Sequence, residues 1–451
     1  MATSPLSRSA KPTPSAGSTI RQAGLAGLLA AAFFALGLGD RPFVDEYAYI
    51  TQSYQPDLLL AGRADDPSWL DPLTYDLVPL PKYLINAAYR VAGIDRPRPL
   101  DAKSWYDNTA YRWGSTPQLL VARLPSVLMA GLGCAAIHAL GSQVAGPLAG
   151  WLAAVLLAVN PLYRLHAHRA MSEAPCEALS LIALAVGLWA WKAALSRERG
   201  GPAALVAMAG AGLAAGLAIL AKFNGMLVLM VLAAWCIFGV LLPWVPAARK
   251  GLLVLETGLA ILIALAAFVA LNPFFTVRPK GPLPPPLQAL AELDTVGRFR
   301  FLMDHRLDVS RGQQRLFPHN ALLSFADRAA VLAVQGFGRF GPLGPSDSDS
   351  TRRFDPRQDW GALLWLPLVL SGLAWAVVRA SGDWRRGVPP LSGLVAIWAC
   401  LAALVVGTYL PMAWDRYQLP VQAPACVLAA CVLAAAGRRL GERFHTRAAR
   451  T

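Results

Sequence analysis

Asp45 and Glu46 are adjacent carboxylates in a chain that is sparing with charge: only 15% of its 451 residues are Asp, Glu, Lys or Arg. A carboxylate held beside a hydroxyl can accept its proton, the work of a general base. Lys82, Arg169, Lys222 and Arg416 are candidate partners of another kind. Arginine offers a forked donor and lysine a point charge, and both suit a phosphate. Each residue also has a plainer role. Asp45 and Glu46 suit the start of a helix, as N-cap and first-turn acid. Lys222 and Arg416 suit snorkelling from a span end to the interface. Glu173 suits a helix start, Asp40-Arg41 a helix-end salt bridge, and His166 and His168 an interfacial pair or, less simply, a metal site.

These side chains need a scaffold, and composition says which. The chain is 55% hydrophobic and only 15% charged, against roughly 25% charged residues in ordinary soluble domains. A charge at mid-bilayer costs at least about 2.5 kcal/mol, so lipid-facing segments exclude it. The formal net charge of +14 does not point to nucleic acid, because the basic residues sit in short clusters between apolar runs. A helix crosses with about 20 apolar residues. Runs of that kind lie near 22–39, 118–140, 144–161, 174–192, 203–221, 224–243, 252–272, 360–378, 388–410 and 417–437. The fold class is therefore all-α and polytopic, with about ten transmembrane helices. Small-residue stretches such as Gly210 to Gly216 predict close helix packing in lipid. The first run follows a Ser/Pro/Ala-rich segment with no acid and no small-x-small site after it, and reads as an uncleaved first span.

Basic residues set the orientation. With the N-terminus inside, the inner loops are Gly141–Gly146, Lys192–Pro202, Pro243–Gly251, Arg379–Gly387 and the tail from Arg438. Four of the five are basic. The predicted organisation is an inner tail (1–21), a membrane module (22–272) with an outer loop at 40–117, a second outer loop (273–359), C-terminal spans (360–437) and a basic inner tail (438–451). The 40–117 loop holds eleven of the 27 acids. Val44–Leu60 and Pro79–Val91 have helical spacing and suit short surface helices. In the second loop a proline-rich connector precedes a predicted helix near Leu287–Asp308, and Pro345–Asp355 reads as a turn. Both termini then lie in the cytoplasm of a cell with an inner membrane, and Asp45, Lys82, Arg169, Lys222 and Arg416 share the outer face. A carboxylate, several cations and a nearby bilayer together suit a lipid-borne phosphate. The six cysteines lie in or beside apolar segments without metal or CxxC spacing, and read as packing residues.

Several short motifs fall in order along this scaffold: Val44-Asp45-Glu46-Tyr47-Ala48-Tyr49, Pro81-Lys82-Tyr83-Leu84, Arg123-Leu124-Pro125-Ser126, Arg169-Ala170-Met171-Ser172-Glu173, Gly216-Leu-Ala-Ile-Leu-Ala-Lys222 and Arg416-Tyr417-Gln418-Leu419-Pro420. The set resembles the membrane glycosyltransferases of the GT-C class, in the group of the protein O-mannosyltransferases and lipid A aminoarabinose transferases. It departs at Leu77-Val78, where the family often carries His-Pro. The resemblance covers residues 20–225 and 410–437. It implies an inverting hexosyl- or pentosyltransferase that moves sugar from a polyprenyl-phosphate donor to a hydroxyl of a lipid, glycan or protein. Asp45 would be the base and Glu46 an orienting acid. Lys82, Arg169, Lys222 and Arg416 would face the lipid phosphate, and Tyr49, Glu173 and Tyr417 would line the donor site. No cofactor is demanded; acidic groups beside a phosphate can hold a divalent ion, but no ligand cluster demands one. A transporter or lipid flippase is the alternative of another class, and a polysaccharide ligase or polymerase the nearer one.

Overall fold

A computed structural model describes residues 16–96, 116–195, 201–279, 282–342 and 353–448. Among these, nine helices are long and apolar enough to cross a membrane: Gly17–Ala35, Pro117–Ala145, Glu173–Leu195, Pro202–Ala221, Phe223–Leu241, Ala247–Ala270, Ala362–Arg385, Leu391–Tyr409 and Asp415–Glu442. The span predicted at 144–161 is a broken pair, Pro147–Ala158 and Pro161–Ala167, bent by 70°. Pro161 lacks the N–H that would continue the ladder. Asn160 caps the new helix, its side chain accepting from the Tyr163 amide at 3.0 Å. The protein is thus an all-α polytopic membrane protein, and among the described residues the extended structure is one isolated bridge, Ala321 to Met412.

Packing follows the small residues. Gly212 and Gly216 turn toward Ala260 and Ala264 of the Ala247–Ala270 helix, where a Cβ would stand 2.4 and 2.5 Å from backbone oxygens. Gly27 and Gly131 let the first two spans approach equally closely. Such contact supplies in lipid the dispersion energy that water-driven burial supplies elsewhere. All six cysteines are free thiols.

The two long loops are largely helical, with breaks that periodicity does not show. Residues 44–60 form two short helices, Glu46–Thr51 and Gln55–Leu60, followed by Pro72–Asp76 and Leu80–Ala92. The helix expected near 287–308 is two: Pro285–Glu292 and Thr295–Leu316. Asp294 restarts the chain by accepting from the Gly297 amide at 2.6 Å. Buried Arg298 then ties both to the preceding turn, donating to the Phe274, Val277 and Ala291 carbonyls at 2.6, 2.7 and 3.0 Å. The last helix runs to Ala448, so residues 438–448, expected as tail, continue it. Residues 1–15 of the N-terminal tail, 97–115 and 196–200 of the loops, 280–281 of the proline connector, 345–352 of the predicted turn and 449–451 lie outside the described residues.

Candidate active site

Glu46 is the centre of a buried network at one end of the bundle. It is 1% exposed and faces Arg123, which is 0% exposed. The contact is forked: Arg123 Nε reaches Glu46 Oε1 at 2.8 Å and Nη2 reaches Oε2 at 2.7 Å. Glu46 also accepts from the Phe43 amide at 2.7 Å and the Ala170 amide at 2.8 Å. Arg123 donates in addition to the Leu38 and Asp40 carbonyls, each at 2.7 Å. One carboxylate and one guanidinium thus fix the exit of the first span, the start of the outer loop, the second span and the 168–172 turn. Both oxygens of Glu46 are thus engaged within this network. Arg123 was legible as a membrane-depth arginine in an apolar window, yet sequence reasoning gave it no role.

Asp45, next door, points elsewhere. It precedes the Glu46–Thr51 helix but makes no side-chain cap. Its carboxylate pairs with Arg416, 371 residues on, and both side chains remain partly exposed, at 25% and 20%. The capping role is therefore not the one the side chain takes. Arg416 lies in a short turn, Asp415–Gln418, that leads into the last span. Its guanidinium stands 5.0 Å from the Trp414 ring centre and 5.9 Å from that of Tyr417, two rings stacked parallel at 6.0 Å. This aromatic wall was half visible in the sequence, through Tyr417 alone.

Lys222 and Glu173 form the adjacent pair, Nζ to Oε1 at 2.7 Å. Lys222 caps the Pro202–Ala221 helix in extended conformation, and its ammonium turns inward to Glu173 rather than outward to the interface. Tyr49 is buried between the two pairs; burial raises its phenol well above the ordinary value, with the charges of Glu173 and Asp45 adding and that of Arg416 opposing. Arg169 packs 4.3 Å from the Phe43 ring centre. Burial lowers its guanidinium, and the carboxylates of Asp415, Glu46 and Glu173 oppose that shift. Buried His166 lies 3.8 Å from Asp415. His168 sits 3.1 Å from Asp40, with its imidazole pushed down to about 4 by burial, so it is neutral at pH 7.

Lys82 is not brought to this cluster. Its helix turns it inward, where the fully buried ammonium donates to Gln55 Oε1 and the Thr74 carbonyl at 3.3 Å each. Burial pushes it well below the ordinary lysine value, with Asp76 pulling back. Here lysine holds the loop after the first span together. The remaining named residues, Asp45, Glu46, Tyr49, Arg169, Glu173, Lys222, Arg416 and Tyr417, converge at one end of the bundle.

The Thr295–Leu316 helix roofs that end. Arg306 pairs with Asp76 at 3.1 Å and lies 4.8 Å from the Phe223 ring centre, beside Lys222. At its far end Gln314 donates to the Pro411 carbonyl at 3.1 Å, and Phe317 meets Trp414 edge-on at 5.6 Å. Below the floor, one helical turn past Glu173, a cavity of about 20 Å³ is lined by Glu177, Ser180 and Asn224 among apolar residues, and holds room for a water. Sequence reasoning passed over Glu177, although an acid inside an apolar span is a signal in itself.

Among the described residues no three His, Cys, Asp or Glu side chains are grouped to hold a metal ion, and Asp45, Glu173 and Asp415 each face a cationic or imidazole partner.

No family model and no curated protein matches this chain. Solved structures do match. The oligosaccharyltransferase AglB of the archaeon Archaeoglobus fulgidus, in complex with an inhibitory peptide and a dolichol-phosphate, is 15% identical with a TM-score of 0.55, over 94% of this chain and 52% of its own. The same enzyme in the apo form is 16% identical, with the same coverage and TM-score. ArnT from Cupriavidus metallidurans bound to undecaprenyl phosphate is 15% identical with a TM-score of 0.49, over 93% of this chain and 60% of its own. The structural neighbours are GT-C glycosyltransferases, and the chain shares the membrane fold of the oligosaccharyltransferase while spanning about half its length.

Proposed function

We propose that this protein is a glycosyltransferase that moves a hexose or pentose from a polyprenyl-phosphate donor to a hydroxyl acceptor on the outer face of a cell's inner membrane, with inversion. The observation that carries the reading is the partly exposed Asp45–Arg416 pair beside Lys222–Glu173, at one end of a GT-C fold. A solved structure of that fold in AglB contains a dolichol-phosphate, which supports a lipid phosphate as the donor's anchor.

Charge pairing suggests how the groups divide the work. In the free enzyme Arg416 and Lys222 are each neutralised by a carboxylate. A lipid phosphate competes for both cations. Once Arg416 turns to the phosphate, Asp45 is released as a base. The acceptor hydroxyl then attacks the anomeric carbon from the face opposite the phosphate, and Asp45 takes its proton. The bond from that carbon to the phosphate oxygen breaks, and polyprenyl phosphate leaves with the negative charge. Arg416, Lys222 and Arg169 stabilise that charge where it grows, and cations placed in advance do this without reorganisation. Glu46 and Arg123 hold Asp45 in place. The Thr295–Leu316 roof restricts water, and the Trp414–Tyr417 wall offers the sugar a flat surface.

Sealed proteoliposomes separate transfer from transport. Given polyprenyl-phosphate sugar and a mixture of envelope acceptors, a transferase consumes the donor and releases polyprenyl phosphate in step with acceptor glycosylation. Movement of intact donor between leaflets, with no conversion, is the flippase result and overturns the proposal. Within the same assay Lys222→Ala raises the donor KM roughly tenfold, about the 1.4 kcal/mol that one charge-assisted contact contributes. Unchanged donor kinetics would leave Lys222 as a purely structural partner of Glu173.

A further inference from the structure

The opposite end of the bundle carries a second charged feature, independent of the transferase reading. The last helix starts at Leu419, beside the candidate site, and reaches Arg438 nineteen residues later. At 1.5 Å per residue this is about 28 Å, close to the thickness of a bilayer's hydrocarbon core. Arg438 and Arg439 therefore stand at the other membrane interface. There the ends of the Pro117–Ala145, Ala362–Arg385 and Leu419–Ala448 helices enclose an open groove of about 460 Å³. Arg379, Arg438, Arg439 and Glu442 line its polar side; Val144, Ala145, Trp375 and Ala435 line the rest.

The three arginines are not equivalent. Arg438 Nη1 donates to the Ala145 carbonyl at 2.7 Å, closing the C-terminal end of that helix. Arg379 Nε reaches Asp383 Oδ2 at 3.2 Å, but that carboxylate is shared with Arg386 at 2.5 Å. Arg439 is exposed. The groove thus keeps an excess of positive charge. A tryptophan and small apolar side chains share it, at the depth where a lipid's phosphate gives way to its glycerol and chains. Basic pockets between transmembrane helices suit anionic headgroups.

We propose that this groove is a binding site for the phosphate headgroup of an anionic membrane phospholipid. Arg379 and Arg439 take the phosphodiester, Arg438 links it to the second span, and Trp375 with Val144 and Ala435 lies along the glycerol and upper chains. Glu442 accepts hydrogen bonds from headgroup hydroxyls. The lipid would bridge the three spans at this end.

The test uses the purified full chain in neutral detergent, titrated with phosphatidylglycerol or phosphatidylcholine and read by native mass spectrometry. One tightly held phosphatidylglycerol and no comparable phosphatidylcholine is the expected result. Each arginine near the headgroup is worth about a fivefold change, so Arg379→Gln with Arg439→Gln weakens the first bound lipid by about thirtyfold. The exposed Arg439→Gln alone gives about fivefold if the double variant does not fold. Lys192→Gln with Lys250→Gln removes two charges from other loops of the same end and leaves binding intact. Equal loss in that control, equal binding of phosphatidylcholine, or no loss in the arginine variants overturns the proposal. Displacement of the lipid by millimolar inorganic phosphate would instead mark a site for free anions, and overturns it too.

Discussion

Asp45→Asn lowers sugar transfer by 10² to 10⁴, the range general bases usually contribute, and leaves the folded protein in the membrane. Asparagine keeps the shape of the side chain and an oxygen that can still accept from Arg416. What it loses is the ability to take a proton. The change should fall on kcat. Donor KM should stay level or drop, because Arg416 is no longer neutralised by a full carboxylate and is freer to hold phosphate. That split separates a base from a binding residue: a group that only bound donor would raise KM and spare kcat. Arg416→Gln gives a different pattern. It frees Asp45 but removes a cation from the leaving phosphate, so donor KM rises and kcat falls together. Steady-state kinetics with donor varied at saturating acceptor would distinguish them, and near-native kcat for Asp45→Asn excludes Asp45 as the base.

The second large effect is on the fold. Glu46 and Arg123 are fully buried and mutually satisfied, and removing one leaves the other as an uncompensated buried charge. Glu46→Leu or Arg123→Met should each destabilise by about 3–5 kcal/mol. The double change Glu46→Leu with Arg123→Met should cost less than the sum, because no charge is left stranded. It still costs something, since the Leu38 and Asp40 carbonyls and the Ala170 amide lose their partners. Thermal midpoints in one mild detergent measure this cycle. Additive losses would mean that the two residues act separately and that the ion pair does not organise the outer loop.

Much of this is legible in the sequence. Lipid dictates apolar runs of a set length, so ten runs read directly as nine long helices and one broken pair. Pro161 and Asn160 marked the break, but hydropathy averages over such a residue. Asp45, Glu173, Lys222 and Arg416 were legible as charges at span ends where the apolar rule is violated. Their partners were not, because Asp45 to Arg416 and Glu173 to Lys222 are tertiary contacts set by how helices cross. Lys82 shows the limit from the other side. Residue type and motif point it at a phosphate, while the turn of the Leu80–Ala92 helix spends it on Gln55 and Thr74. Glu46 and Arg123 show it again: adjacent acids 45 and 46 read alike in sequence, and one helical step sends one to the partly open cluster and the other into the protein.

One measurement bears on the central claim most directly. Cells lacking this protein, and the same cells carrying either the wild type or Asp45→Asn, are compared by mass spectrometry of their polyprenyl-phosphate sugars and envelope lipids, glycans and glycoproteins. The expected result is one acceptor missing a single hexose or pentose, with the matching polyprenyl-phosphate sugar accumulating, and restoration by the wild type but not by Asp45→Asn. An unchanged profile in the deletion, or full restoration by Asp45→Asn, would contradict the proposed transfer chemistry at Asp45.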